Sequence, residues 1–408
     1  MGVGGKDKIK IGKIGGKDVF SSVELQKDVN ELEYKKIKKT VKETVEEHSK
    51  IKDVNTNPGF VVLKNQPDFG VYQKAVTQVV LLDEIIGLLH RFDADFKGYK
   101  NRRGLIGATS SVSWESSDKT FEVIAYREKK KWGTKRLVDD ESVKLMDKST
   151  KTTFDNYDYK NNHNRVTPSS PCPILYGIRG DDTEELIDSS SMIKSEPVES
   201  WLIFETNQGT DDHLQKKEIS DVAPFESVIV KGTVEQPPYT IKGGHVLFKI
   251  KDSTGTIDCA AYEPTKEFRH VVRDLVIGDV VEVYGGVRKK PLTVNIEKIN
   301  IIKLKEISEK IENPVCPKCK KHMKSKGKDQ GFKCKICGIK SNAALVREKK
   351  RDIGLGFYEV PVCARRHLSK PLKRMGVDNY LNRNSSAILY SSIVSVCPSS
   401  VVMMYPEQ

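Results

Sequence analysis

Four of the eight cysteines in this 408-residue chain stand as two Cys-x-x-Cys pairs. Cys316-Pro-Lys-Cys319 is followed, after fourteen residues, by Cys334-Lys-Ile-Cys337-Gly338. Two knuckles at this separation can place four thiolates around one tetrahedral Zn²⁺, with the intervening loop closing as a β-hairpin. Because the protein fills all four positions, such an ion is structural and not catalytic. It also supplies what a module of roughly 35 residues lacks, since a chain that short buries too little apolar surface to fold alone. Four ordinary reduced cysteines are the plain alternative.

Upstream, Phe154-Asp-Asn-Tyr-Asp158 brings Asp155, Asn156 and Asp158 within four residues. Carboxylates this close commonly grip a cation, whether Mg²⁺, an amine or a guanidinium; an Asx-turn is the alternative. Pro171-Cys-Pro-Ile-Leu-Tyr-Gly-Ile-Arg-Gly180 reads as a buried strand that ends with Arg179 between two glycines, where a guanidinium can fork onto phosphate or carboxylate. Thr206-Asn-Gln-Gly-Thr-Asp-Asp-His213 follows the apolar strand Trp201 to Phe204 and is all donors and acceptors, with Asn207, Gln208 and Asp211 at its centre. The chain has neither a G-x-x-x-x-G-K-[ST] phosphate loop nor a G-x-G-x-x-G turn after a strand.

The elements that position these groups change character along the chain. A Gly-rich alternation, KIKIGKIGGKDVF, predicts a strand or hairpin, and a charged helix follows from about Leu25 to Lys50. After the turn Asn55-Thr-Asn-Pro-Gly59 come a strand, Phe60 to Leu63, and one amphipathic helix, Tyr72 to Phe92. The run Thr120 to Arg127 is a further strand, which makes an α+β domain across 57–135. From Trp132 to His213 the density of Asn, Asp, Gly and Pro predicts loops built around a site. From Phe225 to Leu304 five β-rich runs in about 80 residues fit a small closed barrel of the OB type. Its aromatics, Tyr239, His245, Phe248, Tyr262, Phe268 and Tyr284, lie among Lys231, Lys242, Arg269, Arg273, Arg288, Lys289 and Lys290. Half or more are expected in the barrel core and the rest suit base stacking.

Lys plus Arg outnumber Asp plus Glu by 69 to 56, a net charge of +13, and that excess implies a polyanionic partner. It is densest in 314–351, where thirteen basic residues face only Asp329 and Glu348. The start of the chain has no apolar core of a secretory signal. Asn384 to Pro406 is uncharged but holds seven serines and Pro398, so it reads as a tail and not a membrane span. Cysteine usage fits a reducing, cytoplasmic setting.

Several of these strings together resemble the archaeal tRNA isoleucine 2-agmatinylcytidine synthetases. The matching residues include Thr56-Asn-Pro-Gly59, Arg103-Gly-Leu-Ile-Gly-Ala108, Glu122-Val-Ile-Ala-Tyr-Arg127, Thr153-Phe-Asp-Asn-Tyr-Asp158, Pro171 to Gly180, Thr206 to Asp211, Gly243-Gly-His-Val246, the four-cysteine ribbon, and Phe357 to Leu372. The resemblance implies an α+β multidomain fold, with kinase-like and ferredoxin-like α+β domains, then an OB-fold β-barrel and a zinc ribbon. It implies ATP-dependent joining of agmatine to C2 of the wobble cytidine in an isoleucine tRNA with a CAU anticodon, so that the anticodon reads AUA. ATP, Mg²⁺ and structural Zn²⁺ are the implied cofactors, and tRNA and agmatine the partners, with no membrane or protein partner. Asp155, Asn156 and Asp158 are then expected to be catalytic, with Arg179, Asn207, Gln208 and Asp211 as phosphate, nucleotide or base contacts. Lys318, Lys320, Lys321, Lys333, Lys335, Arg365 and Arg366 are expected on the tRNA.

The implied division is 1–56, remnant of the N-terminal kinase-like domain; 57–135, ferredoxin-like; 136–220, a second catalytic segment; 221–306, OB-fold; 312–350, zinc ribbon; 351–383, a C-terminal segment; and 384–408, the uncharged tail. Members of the family open with an Asp-Asp-Thr-Asp-Ser nucleotide loop that is not found here. Met1-Gly-Val-Gly-Gly5 instead resembles a glycine-rich stretch from the interior of such proteins, so an N-terminal truncation is expected. That departure sets up a rival reading, a tRNA-binding protein impaired in catalysis.

Overall fold

The structure is a computed structural model that describes residues 9–14, 20–25, 30–49, 51–64, 70–115, 118–170, 172–327, 330–342 and 345–377. Met1-Gly-Val-Gly-Gly5 and the tail 384–408 lie outside the described residues.

The first unit is an antiparallel sheet of β1 (Ile9–Ile14), β2 (Phe20–Leu25), β3 (Gly59–Leu63) and β4 (Asp95–Gly98), ordered β2-β1-β3-β4. β3 is apolar throughout because both its faces are covered. Phe60 and Val62 pack on α1 (Glu31–His48), while Val61 and Leu63 pack on the layer of α2 (Val71–Thr77), α3 (Leu82–Arg91) and α4 (Gly104–Val112). α1 starts six residues later than the charge pattern suggested, where Asn30 and Glu33 form a reciprocal capping box (2.9 and 3.1 Å). The single helix expected over Tyr72 to Phe92 is broken at Gln78, which is extended. Thr77 turns its hydroxyl back onto the Gln73 carbonyl (2.6 Å), and Val79 and Val80 follow, a combination with poor helix propensity. Gly59 and Gly104 let α4 approach β3 backbone to backbone: a Cβ on Gly104 would sit 2.3 Å from the Asn57 carbonyl oxygen.

The second unit is a three-stranded antiparallel sheet, β8-β5-β9, of β5 (Thr120–Tyr126), β8 (Ile174–Gly180) and β9 (Ser200–Thr206), with a small hairpin of β6 (Tyr157–Asp158) and β7 (His163–Asn164). α5 (Asp140–Ser149) and α6 (Thr183–Met192) cover one face, burying Val123, Ala125, Tyr176 and Ile178 against Val143, Met146 and Leu186. Two expectations are corrected here. The span 57–135 is not one structural unit, because β1 pairs directly with β3 (Ile11 opposite Val62) while β5 belongs to the second sheet. Residues 132–213 are not loops and strands alone: the helices α5 and α6 lie within them, capped by Asp139 and Asp182. Both helices carry few apolar positions, so their polar faces resemble turn sequence.

Five strands form the expected barrel: β11 (Ser227–Thr240), β12 (Val246–Lys251), β13 (Thr256–Ala261), β14 (Val280–Arg288) and β15 (Thr293–Lys303), closed by pairing of β14 with β11. α7 (Phe268–Arg273) plugs one end, and β10 (Leu214–Lys216) adds in parallel to β11. Beyond it, β16 (Ser308–Glu312) and β20 (Leu345–Glu348) form a two-stranded stem that carries the ribbon strands β17 (Lys324–Ser325), β18 (Phe332–Lys333) and β19 (Lys340–Ser341). The chain then returns as β21 (Gly356–Glu359), which pairs with β15, and continues as a strap to residue 377. Among the described residues no helix is long and apolar enough to cross a membrane.

Candidate active site and nucleic-acid surfaces

The four ribbon sulfurs converge as their spacing predicts. Cys316, Cys319, Cys334 and Cys337 place their Sγ atoms within 4.8 Å of one another. Tetrahedral Zn–S bonds of about 2.3 Å require S–S separations of about 3.8 Å, so the set fits the ion. Each pair is wound by the same backbone bond, Lys320 N–H to Cys316 O (2.9 Å) and Gly338 N–H to Cys334 O (3.0 Å). Amides of Cys337 and Ile336 bring the Cys334 thiol down to about 6, whereas the Cys337 sulfur and burial push Cys319 up to about 12. Four crowded sulfurs ionise together only around a cation. This is a structural zinc site, and Lys318, Lys320, Lys321, Lys333 and Lys335 are all exposed around it.

The second sheet has one face covered by α5 and α6 and one face open. Strand register puts Glu122, Ile124, Tyr126, Gly177, Arg179 and Phe204 on the open face. Glu122, which sequence reasoning passed over, is its centre. Its carboxylate accepts from Arg179 Nε (3.1 Å) and from Gln208 Nε2 (2.7 Å). A side chain on Gly177 would meet Glu122 Oε1 at 3.0 Å, so glycine there leaves the carboxylate room. Burial, and then the Glu122 charge, raise the Tyr126 phenol above its ordinary range. Gln208 Oε1 is buried with no hydrogen-bond partner among the described residues, and so is Asn207 Oδ1. Asn207 donates instead to Tyr72 Oη (3.0 Å), which donates to Asp212 (2.6 Å) and ties the first unit to the second. A half-buried carboxylate beside an unpaired amide oxygen is a site for a ligand rich in N–H donors.

The sequence-adjacent acids behave differently. Asp155, in a left-handed conformation at φ 58°, is ion-paired with Arg365, which also meets Glu359 at 2.6 Å. Asn156 donates to Asp147 and Thr153 (both 2.9 Å). Asp158 accepts from the Asn161 amide and side chain (3.0 Å each) and from Cys363 N–H (3.1 Å). Burial works against ionisation of Asp158, but the bonds from Cys363 and Asn161 outweigh it and hold the carboxyl below the usual range. Asp158 borders a cavity of about 170 Å³, which Tyr157, Glu359 and Arg365 also line. The assignment of Arg365 to tRNA is corrected: its side chain is 6% exposed, and a guanidinium held by two carboxylates inside the protein does not face a phosphate backbone. Arg366, half-exposed, remains on the surface.

Asp211 lies on the seam with the barrel, accepting from Lys298 Nζ and Lys370 N–H (2.7 Å each), and His213 meets Glu297 at 2.9 Å. On the barrel, Phe248 and Phe268 lie in the core, whereas Tyr284 is buried outside it against Phe357 (ring centroids 6.0 Å), so two of the six aromatics are core, short of the expected half. Tyr239 is exposed, and His245 and Tyr262 form an edge-to-face pair at 5.2 Å near Arg288. That surface suits single-stranded bases.

Known proteins align with this chain over most of its length. Family models match in series: the TiaS TCKD domain at residues 1–101, the TiaS FLD domain at 102–213, an OB-fold nucleic acid binding domain at 227–302 and the TiaS C-terminal zinc ribbon domain at 313–353. The isoleucine tRNA 2-agmatinylcytidine synthetase TiaS of Methanocaldococcus jannaschii is 45% identical over 339 residues, 81% of this chain and 79% of that protein. That of Archaeoglobus fulgidus is 43% identical over 343 residues, 83% and 81% of the two chains. The crystal structure of TiaS in complex with its isoleucine tRNA and ATP superposes with a TM-score of 0.79 at 35% identity, covering 91% of this chain and 99% of that one. That of TiaS with the same tRNA, AMPCPP and agmatine gives 0.78 at 35% identity, covering 91% and 98%. The chain belongs to the isoleucine tRNA 2-agmatinylcytidine synthetase family.

Proposed function

We infer that this protein is an ATP-dependent ligase that joins agmatine to C2 of the wobble cytidine in the isoleucine tRNA with a CAU anticodon. In this reaction ATP phosphorylates the C2 oxygen, the agmatine amine attacks C2, and phosphate leaves with that oxygen. The phosphorylation is needed because a carbonyl oxygen is a poor leaving group. The observation that carries the residue assignment is the open sheet face, where Glu122 and the unpaired Gln208 oxygen converge. A carboxylate offers about four acceptor sites, and here two are taken by the protein. We assign the remaining two, with Gln208 Oε1, to the N–H groups of agmatine. Arg179, held through Nε by Glu122, presents the rest of its guanidinium to the phosphoryl group on the cytidine.

Asp155, Asn156 and Asp158 follow Phe154, whose backbone pairs with that of Arg179, and are joined to the strap; we assign them position and not chemistry. They do not suit Mg²⁺, because Asp155 is neutralised by Arg365 and Asp158 already accepts three N–H bonds. A Mg²⁺ ion accompanying the ATP phosphates is therefore assigned no ligand in that cluster. The lysines of the ribbon and the aromatic surface of the barrel hold the tRNA. A protein that only bound tRNA would have no use for an unsatisfied buried acceptor beside a carboxylate, which favours the enzyme. Incubation with this isoleucine tRNA, ATP and labelled agmatine should give ATP-dependent label in the tRNA, absent with a tRNA lacking the CAU anticodon. Lack of label under these conditions would refute the ligase.

A further inference from the structure

Both connections between the barrel and the zinc ribbon pass one buried carboxylate. Asp279, fully buried, lies just before β14. On the outgoing connection, Lys305 N–H donates to its Oδ1 (2.8 Å). On the returning connection, Arg351 grips it with two N–H groups, Nη1 to Oδ1 at 2.6 Å and Nη2 to Oδ2 at 2.8 Å. Arg351 also donates to the Asp274 carbonyl (2.5 Å), and its side chain is only 10% exposed. Past this point the ribbon hangs on the two-stranded stem of β16 and β20.

We propose that the Asp279–Arg351 pair is a positioning device that sets the angle at which the ribbon leaves the barrel, so that one tRNA engages both. The proposal rests on the reading that barrel and ribbon each contact tRNA. A buried ion pair is a poor choice for stability alone, since its desolvation cost offsets much of the attraction. What a forked guanidinium does supply is a fixed direction. Two binding surfaces held in the right relation raise each other's effective concentration on a ligand that spans them, and a ligand that touches only one gains nothing.

The test compares the intact isoleucine tRNA with a short single-stranded oligonucleotide, both titrated against the full chain over a range of salt. Arg351→Gln should weaken tRNA binding about tenfold while leaving zinc content, oligonucleotide affinity and the salt slope unchanged. Arg351→Lys, which keeps the charge but not the fork, should recover about a third of that loss on the same scale, and it carries the comparison if the Gln variant does not fold. Equal losses for tRNA and oligonucleotide, or a salt slope reduced by about one, would make Arg351 a phosphate contact and overturn the proposal. So would unchanged tRNA affinity in both variants. Failure of the unaltered protein to bind tRNA would instead defeat the underlying reading of barrel and ribbon.

Discussion

Two groups of polar side chains in the second unit invite comparison. Asp155, Asn156 and Asp158 are neighbours in sequence, and each is engaged by the protein itself, through Arg365, Thr153, Asn161 and Cys363. Glu122 and Gln208 are 86 positions apart, meet only through strand register, and leave a buried oxygen unpaired. A carboxylate cancelled by a buried guanidinium or wrapped by N–H donors holds a structure together, and one beside a buried amide oxygen that has no partner is ready for a ligand. Density of acids along a chain does not separate the two, whereas a census of hydrogen bonds does.

The comparison can be broken most directly at Glu122. Glu122→Gln should reduce kcat/KM for agmatine about 100-fold, the scale of losing a hydrogen bond to a charged group in a half-buried site. A loss confined to tRNA binding would move agmatine elsewhere. Asp155→Asn should act on stability instead, lowering it by about 2 kcal/mol because Arg365 loses one of its two carboxylates while buried. Denaturant unfolding would show this, with agmatine kinetics changed less than about twofold in the soluble fraction. Gln208→Leu should raise the agmatine KM about tenfold, the value of one neutral acceptor, with kcat for saturating agmatine nearly kept. The smallest effect concerns acid. Burial works against ionisation of Asp118, but Arg374 and Lys370 outweigh it and hold the carboxyl below its usual range. A depressed carboxylate contributes stability at and above the ordinary value near about 4 and loses it as pH falls through the folded one. The strap contact should therefore be unaffected between about pH 7 and 5 and weaken only in stronger acid. Protection of amides 370–375 from hydrogen exchange would report it.

The zinc ribbon could be read because its information is local: four cysteines at fixed spacing specify ligands, geometry and the knuckle turns. The barrel was legible for a similar reason, five alternating runs with turn residues between them. The proposed site was legible in part: Arg179 and Gln208 were expected contacts, but Glu122, which joins them, meets them only after β8 and β9 pair with β5 in one register. Arg365 misled because a basic residue carries no mark of burial, and its partner Asp155 lies 210 positions away. The division placed at residue 56 failed on the same ground: a turn-rich stretch looks like a boundary, yet β1 and β3 on either side of it share a sheet.

The strap has one more consequence. Lys370 and Arg374 pair with Asp118, Arg374 with Asp181, and Lys373 Nζ reaches the Thr153 carbonyl. These fasteners are translated after the strands, the barrel and the ribbon. While the ribosome is still making residues 120–350, Asp118 and Asp181 beside the sheet that carries Glu122 lack the strap's cations. Nascent protein thus passes through a stage in which its modules are folded but unassembled, and completion of the last described thirty or so residues converts a string of parts into a working whole.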